Sequence, residues 1–462
     1  MKSKKPSAAE ISPMMRELST YIAGALKRPL PEKVAEKTKH HVLDTFAAMV
    51  SGSRLLPGRK GIAYVKTLGG TKEACVIGSR FVTSAANAAL ANGMCAHADE
   101  TDDSHAPSVM HPGCGIVPAA LAVAEKEGRS GEALLRAVAL GYDVATRLTM
   151  SLNAFKFRED GLSTHSYGPT FGAAAAAGLL VGVNQEQARY LLSYAAQQAS
   201  GISCWMRDEE HIEKAFDFGG MPARNGVTAA TMVAQGFSGV DDVFSGERNF
   251  FVAHGRPANP GEMVRGLGED YEIMRTNIKR WSVGSPIQAP LDSLAILIKE
   301  HGVKAEQVEK LTIRVAHRDK NTTDNRPMPD INMQHMCAVM LMDGMVTFKS
   351  SHDEKRFRHP KVLEFRKRID VVGDDALTKT MPARQGIVEI TLRGGGSLRH
   401  HTVAVRGTAE NPMTRDEVDA KSYDLIAPVT RKARARKLCD ALWKLEDLKD
   451  VRKLRPLLQE ER

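Results

Sequence analysis

The repeat period of the apolar residues changes twice along the chain, and this change constrains the fold more than any other feature of the sequence. In the first 265 residues the apolar positions recur at helical spacing, and alanine and glycine dominate the predicted helical faces. Between about 270 and 407 the period falls to two, which is typical of strands, and beyond residue 407 helical spacing returns. Both chain ends are therefore predicted to be helical, and the middle is predicted to contain a sheet.

Two segments of the middle region, 308–315 and 387–392, alternate apolar and polar residues and are predicted to be strands. The second is followed by Gly394-Gly395-Gly396 and then by another alternating run that reaches Val405, which predicts a β-hairpin. The helical region beyond it opens on Thr414-Arg415-Asp416-Glu417, in which threonine and glutamate stand at the spacing of a capping box.

These patterns predict a mainly α protein in which a large all-helical domain, formed by both chain ends, carries an inserted α+β domain. The predicted boundaries are 1–268 and 408–462 for the helical domain and 269–407 for the inserted domain. A chain of 462 residues is long enough to bury the cores of two domains.

The composition argues against several classes of protein. The six cysteines are scattered without a Cys-x-x-Cys pair, so a disulfide framework, a cysteine-ligated zinc site and an iron–sulfur cluster are not expected. The basic N-terminus lacks a following apolar stretch, and the most apolar segment, 171–183, is too short to span a bilayer. We therefore predict a cytoplasmic protein with no membrane role.

The net charge of +9 is concentrated at the C-terminal end of the chain. Residues 431–462 contain eleven Lys/Arg and six Asp/Glu, which gives +5, and the other 430 residues share the remaining +4. A basic helical tail of mixed sign is typical of a solvated face, and no nucleic-acid motif accompanies it. Nucleic acid is not a predicted partner.

The densest polar segment is 97–105, which is followed by His111. If the preceding helix, predicted over 85–98, continued through this segment, five polar side chains would share one face: His97, Glu100, Thr101, Ser104 and His105. Burying such a face is costly unless it serves a function, so we interpret the segment as part of a site. The alternative is a solvated turn whose Asp and Ser side chains cap the next helix. Imidazole and carboxylate could also bind a divalent metal, but no recognised ligand spacing is present, and we predict no metal site.

Three further segments contain candidate residues. His165 is predicted to lie just before a helix of small residues at 172–180, where it could transfer protons or contact an anion, although a histidine with a purely structural hydrogen bond is the alternative. Lys214 and Arg224 flank Gly219-Gly220 and could bind carboxylates, although a tight turn with solvated charges is the alternative. Lys279 stands near the start of the inserted domain, where cationic side chains often line a cleft, although a solvated basic linker is the alternative.

Taken together and in this order, these segments resemble the MmgE/PrpD family, which comprises 2-methylcitrate dehydratase, cis-aconitate decarboxylase and iminodisuccinate epimerase. The resemblance extends over nearly the whole chain. It rests on the following motifs: His41-Val-Leu-Asp-Thr-Phe, Leu68-Gly-Gly-Thr, Ala88-Ala-Leu-Ala-Asn-Gly, the 97–105 segment with His111-Pro112, Gly141-Tyr-Asp-Val, His165, Gly172-Ala-Ala-Ala-Ala-Ala, Ala223-Arg-Asn-Gly and Glu410-Asn-Pro-Met-Thr.

The resemblance implies that the inserted domain is a lid, that the protein is a homodimer, and that a site without any cofactor lies between the domains. It also implies which residues line the site: Glu100, Ser104, His111, His165, Lys214 and Lys279. We count Glu100, Ser104, His111, His165 and Lys214 as catalytic. The predicted substrate-binding residues are Lys279, Arg224, Asp102, Asp103 and His105.

The chain departs from the family pattern at several positions. Glu100 and Ser104 stand where the family has aspartate and threonine, and His335 stands where tyrosine is common. The segment 281–292, which contains Gly284 and Ala289, lacks the usual cysteine or histidine and a later histidine. The segment from Lys214 to Arg224 is about one residue longer than the common pattern.

The predicted function is a cofactor-independent lyase, a dehydratase or decarboxylase, that acts on a small di- or tricarboxylic acid such as 2-methylcitrate or cis-aconitate. His111 or His165 would transfer protons, while Lys214, Lys279 and Arg224 would bind carboxylates. Glu100 would orient a histidine, and Ser104 would hydrogen-bond the substrate. Three alternatives stay open: an epimerase or racemase of a small dicarboxylate, a non-catalytic carboxylate-binding relative, and a metal-dependent hydrolase.

Overall fold

The structure is a computed structural model that describes residues 11–254 and 257–460, and the chain forms two compact units. Unit 1 contains the residues up to Ala98, Asp103–Thr276 and the residues from Val429 onward, and unit 2 contains Asp99–Asp102 and Asn277–Pro428. About 60% of the protein is helical, which confirms the mainly α prediction. The predicted boundaries at 268 and 407 stay a prediction, whereas the compact units change over at 276 and 428.

Unit 1 is built from helices and one short pair of strands. Its α-helices are Pro13–Gly24, Glu32–Gly52, Leu56–Leu68, Ala85–Ala96, Gly113–Glu127, Gly131–Ser151, Ala154–Glu159, Thr164–Val181, Gln185–Gln198, Ile212–Ala215, Met221–Ala234, Phe250–Ala253, Lys432–Trp443 and Arg455–Leu458. Its 3-10 helices are Ala25–Lys27, Ser203–Arg207, Pro260–Met263, Glu272–Arg275, Leu445–Asp447 and Val451–Leu454, and Phe216–Gly220 forms a π-helical turn. Strands β1 (Ala74–Cys75) and β2 (Val82–Thr83) pair antiparallel.

The helix Thr164–Val181 lies at the centre of unit 1 and packs against Gly131–Ser151, Met221–Ala234 and Gly113–Glu127. Small side chains make this packing close. A Cβ added at Gly172 would lie 2.4 Å from the carbonyl oxygen of Gly141, so the two helices touch backbone to backbone at this point.

Unit 2 contains a four-stranded sheet whose strand order is β4-β3-β5-β6. The strands are β3 (Val308–Val315), β4 (Ile369–Gly373), β5 (Gly386–Leu392) and β6 (Ser397–Thr402). Its α-helices are Ser285–His301, His317–Thr323, Met333–Asp343, Phe348–Ser351, Glu354–Phe357, Pro360–Arg366, Asp375–Lys379 and Arg415–Ile426, and its 3-10 helices are Ala305–Gln307 and Pro329–Ile331.

The sheet confirms both predicted strands and the hairpin. Strands β5 and β6 pair antiparallel across the glycine turn, β3 pairs antiparallel with β5, and β4 joins the other edge of β3 in parallel. The apolar residues of β3 pack with the helices Ser285–His301 and Met333–Asp343 to form the core of the unit. The capping box is also present, because Thr414 and Glu417 exchange side-chain and backbone hydrogen bonds.

Two of the predicted helix limits in unit 1 are wrong. The helix predicted over 85–98 ends at Ala96, so the residues from His97 to His105 do not share one helical face. The side chain of Asp99 accepts a hydrogen bond from the amide of Thr101, and such local bonds compete with helix formation. The helix predicted to start at Gly172 starts at Thr164 and contains Pro169, a residue that usually breaks a helix interior.

Among the residues that the structure describes, we find no helix with both the length and the apolar character that a membrane crossing requires.

Candidate active site

Three of the fifteen histidines of the chain contact one phenylalanine in unit 1, and a fourth contacts one of these three. We refer to His97, His111, His165 and His211 with Phe218 as the histidine cluster. The Phe218 ring stacks on His165 with ring centroids 3.8 Å apart and on His97 with centroids 4.2 Å apart. The ring of His111 lies 5.3 Å from that of His165 and 5.1 Å from that of His97. Imidazoles remote in sequence therefore converge on one buried ring.

Each histidine of the cluster lies at or near the end of a helix. His97 follows the helix Ala85–Ala96, and His111 stands two residues before the helix Gly113–Glu127. His165 lies in the first turn of Thr164–Val181, whereas the sequence predicted it to precede the helix. His211 precedes Ile212–Ala215 and has a left-handed backbone with φ of 63°, which is uncommon outside glycine and marks a constrained turn.

The π-helical turn Phe216–Gly220 connects the helices Ile212–Ala215 and Met221–Ala234 and carries Phe218. This turn lies in the segment that the sequence showed to be about one residue longer than the family pattern. A π turn can accommodate an additional residue within a helix, and such turns occur frequently at functional sites. Phe218 is only 1% exposed, so its ring fills the space between the imidazoles.

Lys214 lies four residues before Phe218 and contacts the same cluster. Its ammonium nitrogen lies 5.3 Å from the ring centre of Phe218 and 5.6 Å from that of Trp205. Both contacts are within the range of cation–π interactions. The structure therefore brings together His111, His165 and Lys214, three of the predicted catalytic residues.

Burial and neighbouring charges determine the protonation of His165. Burial lowers the pKa of His165 well below its usual value, and His111, Arg158, His97 and Lys214 lower it further. Its Nδ1 atom is buried and has no hydrogen-bond partner among the described residues. His165 is thus neutral near pH 7 and can accept a proton.

Asp103, a predicted substrate-binding residue, is fully buried in unit 1 and accepts three hydrogen bonds. The donors are the Nδ1 of His41 at 2.7 Å, the hydroxyl of Tyr142 at 2.5 Å and the backbone amide of Gly113 at 2.9 Å. Gly113 is the first residue of the helix that follows His111. The contacts of Asp103 therefore fix the start of that helix.

His105 and Ser104 do not join the histidine cluster through any contact that the structure provides. His105 is fully buried, with Nδ1 2.7 Å from the hydroxyl of Ser108 and Nε2 3.3 Å from a carboxylate oxygen of Glu272. Burial raises the pKa of Glu272, but His105 and Arg275 outweigh it and lower the pKa to about 2. Ser104 is half-buried beside the bridge between His105 and Met110. Their predicted roles stay predictions.

The remaining acidic candidates belong to unit 2, where the short segment Asp99–Asp102 is held by cationic side chains. The ammonium of Lys279 donates to the carbonyl oxygen of Glu100 at 2.7 Å and lies 3.8 Å from its carboxylate and 3.7 Å from that of Asp102. Glu100, Asp102 and Lys279 are all buried. Lys279 and Glu100 are thus brought together within unit 2.

His352 holds the same segment and was not a predicted candidate. Its Nε2 lies 3.1 Å from the carboxylate of Asp99. Burial opposes the charged imidazolium, but the ion pair with Asp99 outweighs it and raises the pKa of His352 to about 9. The imidazolium of His352 is therefore present beside the segment Asp99–Asp102 at neutral pH.

Four other positions singled out in the sequence have identifiable surroundings. The guanidinium of Arg224 lies 5.9 Å from the ring of Phe216, and its Nη2 donates to the side chain of Asn225 at 3.1 Å. In unit 2, Gly284 precedes the helix Ser285–His301, and Ala289 is buried within it. His335 is fully buried and packs edge-on against Phe357, and burial lowers its pKa to about 4.

Sequence reasoning missed Phe218 and Trp205 and gave no role to His97 and His211. A signal was available for Phe218, because Lys214 and Phe218 stand four residues apart and so share a helical face. No comparable signal existed for Trp205, whose indole meets His165 edge-on at 5.4 Å from a separate turn.

The rings of His97 and His211 lie 5.1 Å apart, and imidazole nitrogens are ligands for zinc, copper and iron. The prediction of a metal-free site stays a prediction.

Comparison with known proteins gives one consistent result. Residues 16–262 match the MmgE/PrpD N-terminal domain, and residues 281–445 match the MmgE/PrpD C-terminal domain. A cis-aconitate decarboxylase of Aspergillus terreus is 22% identical over 475 residues, covering 96% of this chain and 95% of that protein. The human cis-aconitate decarboxylase is 23% identical over 462 residues, covering 96% of this chain and 93% of that protein. The cis-aconitate decarboxylase-like protein oryM of Aspergillus oryzae is 22% identical over 477 residues, covering 96% of this chain and 97% of that protein. The predicted resemblance is confirmed, and the chain belongs to the MmgE/PrpD family.

Proposed function

We propose that this protein is a lyase that transfers a proton next to a carboxylate of a small di- or tricarboxylic acid. The observation that carries the proposal is the pairing of a buried, neutral imidazole, His165, with a second imidazole, His111, beside the ammonium of Lys214. Family membership and relatives named as cis-aconitate decarboxylases support a lyase of the decarboxylase type.

Two reactions are compatible with these groups. In a dehydration, the C–H bond next to a carboxylate breaks, His165 takes up the proton, and the electron pair moves into an enediolate. That electron pair then expels the hydroxyl group, which leaves as water after it is protonated by an acid. In a decarboxylation, the C–CO₂ bond breaks, carbon dioxide leaves, and the carbon that gains the electron pair takes up a proton.

Lys214 supports either reaction because both develop negative charge on a carboxylate. An ammonium held in a fixed position beside the buried rings of Trp205 and Phe218 stabilises an enediolate more strongly than a freely hydrated ammonium would. We assign it substrate-carboxylate binding and charge stabilisation. The roles of Lys279, Glu100, Ser104 and Arg224, the lid, the homodimer and the cytoplasmic location stay predictions.

The test is NMR of the purified protein with a panel of di- and tricarboxylic acids in deuterated buffer, including cis-aconitate and 2-methylcitrate. We expect at least one acid either to lose carbon dioxide, with deuterium appearing at the carbon that takes up the proton, or to lose water, with a new carbon–carbon double bond and release of the carbon-bound proton to the buffer. His165→Ala and Lys214→Ala should each reduce turnover on the order of 100-fold or more. His301→Gln, which changes an exposed histidine in unit 2, is the control and should leave turnover unchanged.

Several results would contradict the proposal. Saturable binding without turnover across the panel would favour a non-catalytic relative. Near-normal turnover in a folded His165→Ala variant would remove the proposed base. Turnover that is lost on treatment with a chelator and restored by a divalent metal would favour a metal-dependent enzyme instead.

A second candidate function is favoured by the same two imidazoles. His111 and His165, with ring centroids 5.3 Å apart, could exchange a proton on opposite faces of one carbon, as an epimerase requires. Deuterium incorporation and inversion without new unsaturation or loss of carbon dioxide would establish this alternative.

A further inference from the structure

Asp217 is a buried carboxylate in the π-helical turn, adjacent to Phe218, and the proposed chemistry does not use it. It accepts a hydrogen bond from the hydroxyl of Ser163. Ser163 is the residue immediately before the helix Thr164–Val181, which carries His165. Asp217 therefore connects the π turn to the start of the helix that holds the proposed base.

The hydroxyl of Ser163 does not perform the role expected at this position. A serine before a helix commonly accepts a hydrogen bond from an amide of the first turn, but Ser163 makes no such capping bond. Its hydroxyl donates to Asp217 and accepts from the indole Nε1–H of Trp205 at 3.3 Å. A serine has one hydroxyl hydrogen, so donation to Asp217 leaves the oxygen lone pairs available for the indole.

The indole of Trp205 in turn contacts both proposed catalytic groups. It meets the ring of His165 edge-on with centroids 5.4 Å apart, and the ammonium of Lys214 lies 5.6 Å from its ring. Asp217, Ser163 and Trp205 thus form a continuous hydrogen-bonded chain that ends at the base and at the cation.

Gly201 provides the space that Asp217 occupies. A Cβ at this position would lie 2.6 Å from Oδ1 of Asp217 and 2.0 Å from the hydroxyl oxygen of Ser166. The backbone of Gly201 has φ of 126°, a conformation that residues other than glycine rarely adopt. The carboxylate is therefore held in a pocket that only glycine permits at this point.

From this geometry we infer that Asp217 is a positioning residue, which orients His165 and Lys214 through Ser163 and Trp205. The inference rests on the proposed function, because it assigns those two residues their roles in proton transfer and charge stabilisation. Asp217 itself is not proposed to touch the substrate.

The charge of Asp217 is expected to matter near neutral pH. Burial raises the pKa of Asp217, and the negative charge of Glu213 raises it further. Hydrogen bonds from Ser163 and Ser166 lower it, and the net result is a pKa of about 7. The other groups that face this chain are Cys204, which hydrogen-bonds Glu213, and Arg158, which lies over the Trp205 ring. The hydrogen bond to Glu213 raises the pKa of the Cys204 thiol, so the thiol does not titrate between pH 6 and 8.

Kinetics with an acid that the NMR panel shows to be turned over provide the first test. Asp217→Ala and Ser163→Ala should each lower kcat by about 10- to 100-fold with little change in KM, and the double variant should be no worse than either. Asp217→Asn keeps a hydrogen-bond acceptor but not the charge, so its kcat at pH 8 should lie between those of the wild type and Asp217→Ala and should not change down to pH 6. The kcat of the wild type is expected to decline between pH 8 and 6 as Asp217 is protonated. Asp242→Asn is the matched control, because Asp242 is equally buried at 6% exposure and binds the amide of Ser12 elsewhere in unit 1.

The second test does not depend on activity. With ¹⁵N-labelled tryptophan, the indole resonance of Trp205, assigned with Trp205→Phe, should titrate with a midpoint near pH 7 in the wild type and not in Asp217→Asn. A titrating resonance in a protein that turns over no acid of the panel would reject the proposed function and leave the hydrogen-bonded chain intact. An indole resonance that is constant from pH 6 to 8, or kcat unchanged in Asp217→Ala, would overturn the inference.

Discussion

Replacing Asp103 distinguishes a structural carboxylate from a substrate-binding one. The sequence predicts that Asp103 binds substrate, whereas the structure gives it three hydrogen bonds inside unit 1 and no exposure to solvent. We expect Asp103→Ala to destabilise the protein strongly and to lower turnover by releasing the start of the helix that follows His111.

The magnitude follows from the three donors. Hydrogen bonds to a charged acceptor contribute about 1.5–3 kcal/mol each. Their sum is an upper bound, because bonds that share an acceptor are not additive and because removing a buried charge recovers its desolvation free energy. Removing one partner from a buried charged network typically costs about 3–5 kcal/mol, and we expect the free energy of unfolding to fall by that amount.

Asp103→Asn should lower the free energy of unfolding by less than Asp103→Ala does. Burial lowers the pKa of His41 to about 4, so its imidazole is neutral and donates to Asp103 through Nδ1. The oxygen of an amide at this position can still accept from Nδ1 of His41, whereas the amide nitrogen can bond this ring only if the proton of His41 moves to Nε2. That atom has no hydrogen-bond partner among the residues the structure describes.

The assay is urea unfolding followed by circular dichroism, combined with steady-state kinetics on the acid that the NMR panel identifies. Asp143→Ala is the matched control, because Asp143 is also fully buried and accepts from a tyrosine hydroxyl, that of Tyr21 at 2.6 Å, and from a backbone amide. It should lose comparable stability without a comparable loss of kcat. If Asp103→Ala unfolded at the wild-type urea concentration and only raised KM, Asp103 would be a substrate ligand and the structural interpretation would be wrong.

Three other predictions concern separate parts of the molecule. Phe218→Leu removes two stacked imidazole contacts and should lower both kcat and the free energy of unfolding, the latter by about 1–2 kcal/mol in urea unfolding. An unchanged kcat in the folded variant would contradict this prediction. The raised pKa of His352 should stabilise the protein by about 3 kcal/mol below pH 6.5, and this stabilisation should disappear as the pH rises through 9. His352→Gln should remove that pH dependence from the urea midpoints. Arg147→Met should cost about 3–5 kcal/mol, because this fully buried guanidinium donates to backbone carbonyls at 262, 265 and 270, and a thermal midpoint equal to the wild type would refute it.

Features that depend on neighbouring residues were predictable from the sequence. The strand Val308–Val315 matches its prediction because alternation is a local property of a strand with one buried face. The capping box at Thr414 is equally local, since its two side chains bond backbone groups within a single turn.

Features that depend on a hydrogen-bond or ion-pair partner distant in the chain were not predictable from the sequence. The sequence predicted a helix to residue 98 and left its continuation through 105 open, and the structure shows that Lys279 and His352, which lie far along the chain, bind the segment Asp99–Asp102 within unit 2. Which partners a carboxylate finds is decided by the fold, because short polar side chains accept hydrogen bonds as readily from distant groups as from their own helix.

The sequence by itself determined the family, the mainly α class and the candidacy of His111, His165 and Lys214, since their residue types limit the chemistry available. Only the tertiary structure decided that Phe218 lies between the imidazoles, that Asp103 is enclosed by donors and that Asp217 reaches His165 through a serine and an indole. Close packing determines such contacts, because a ring or a carboxylate is fixed by the shape of everything around it and not by its neighbours in sequence.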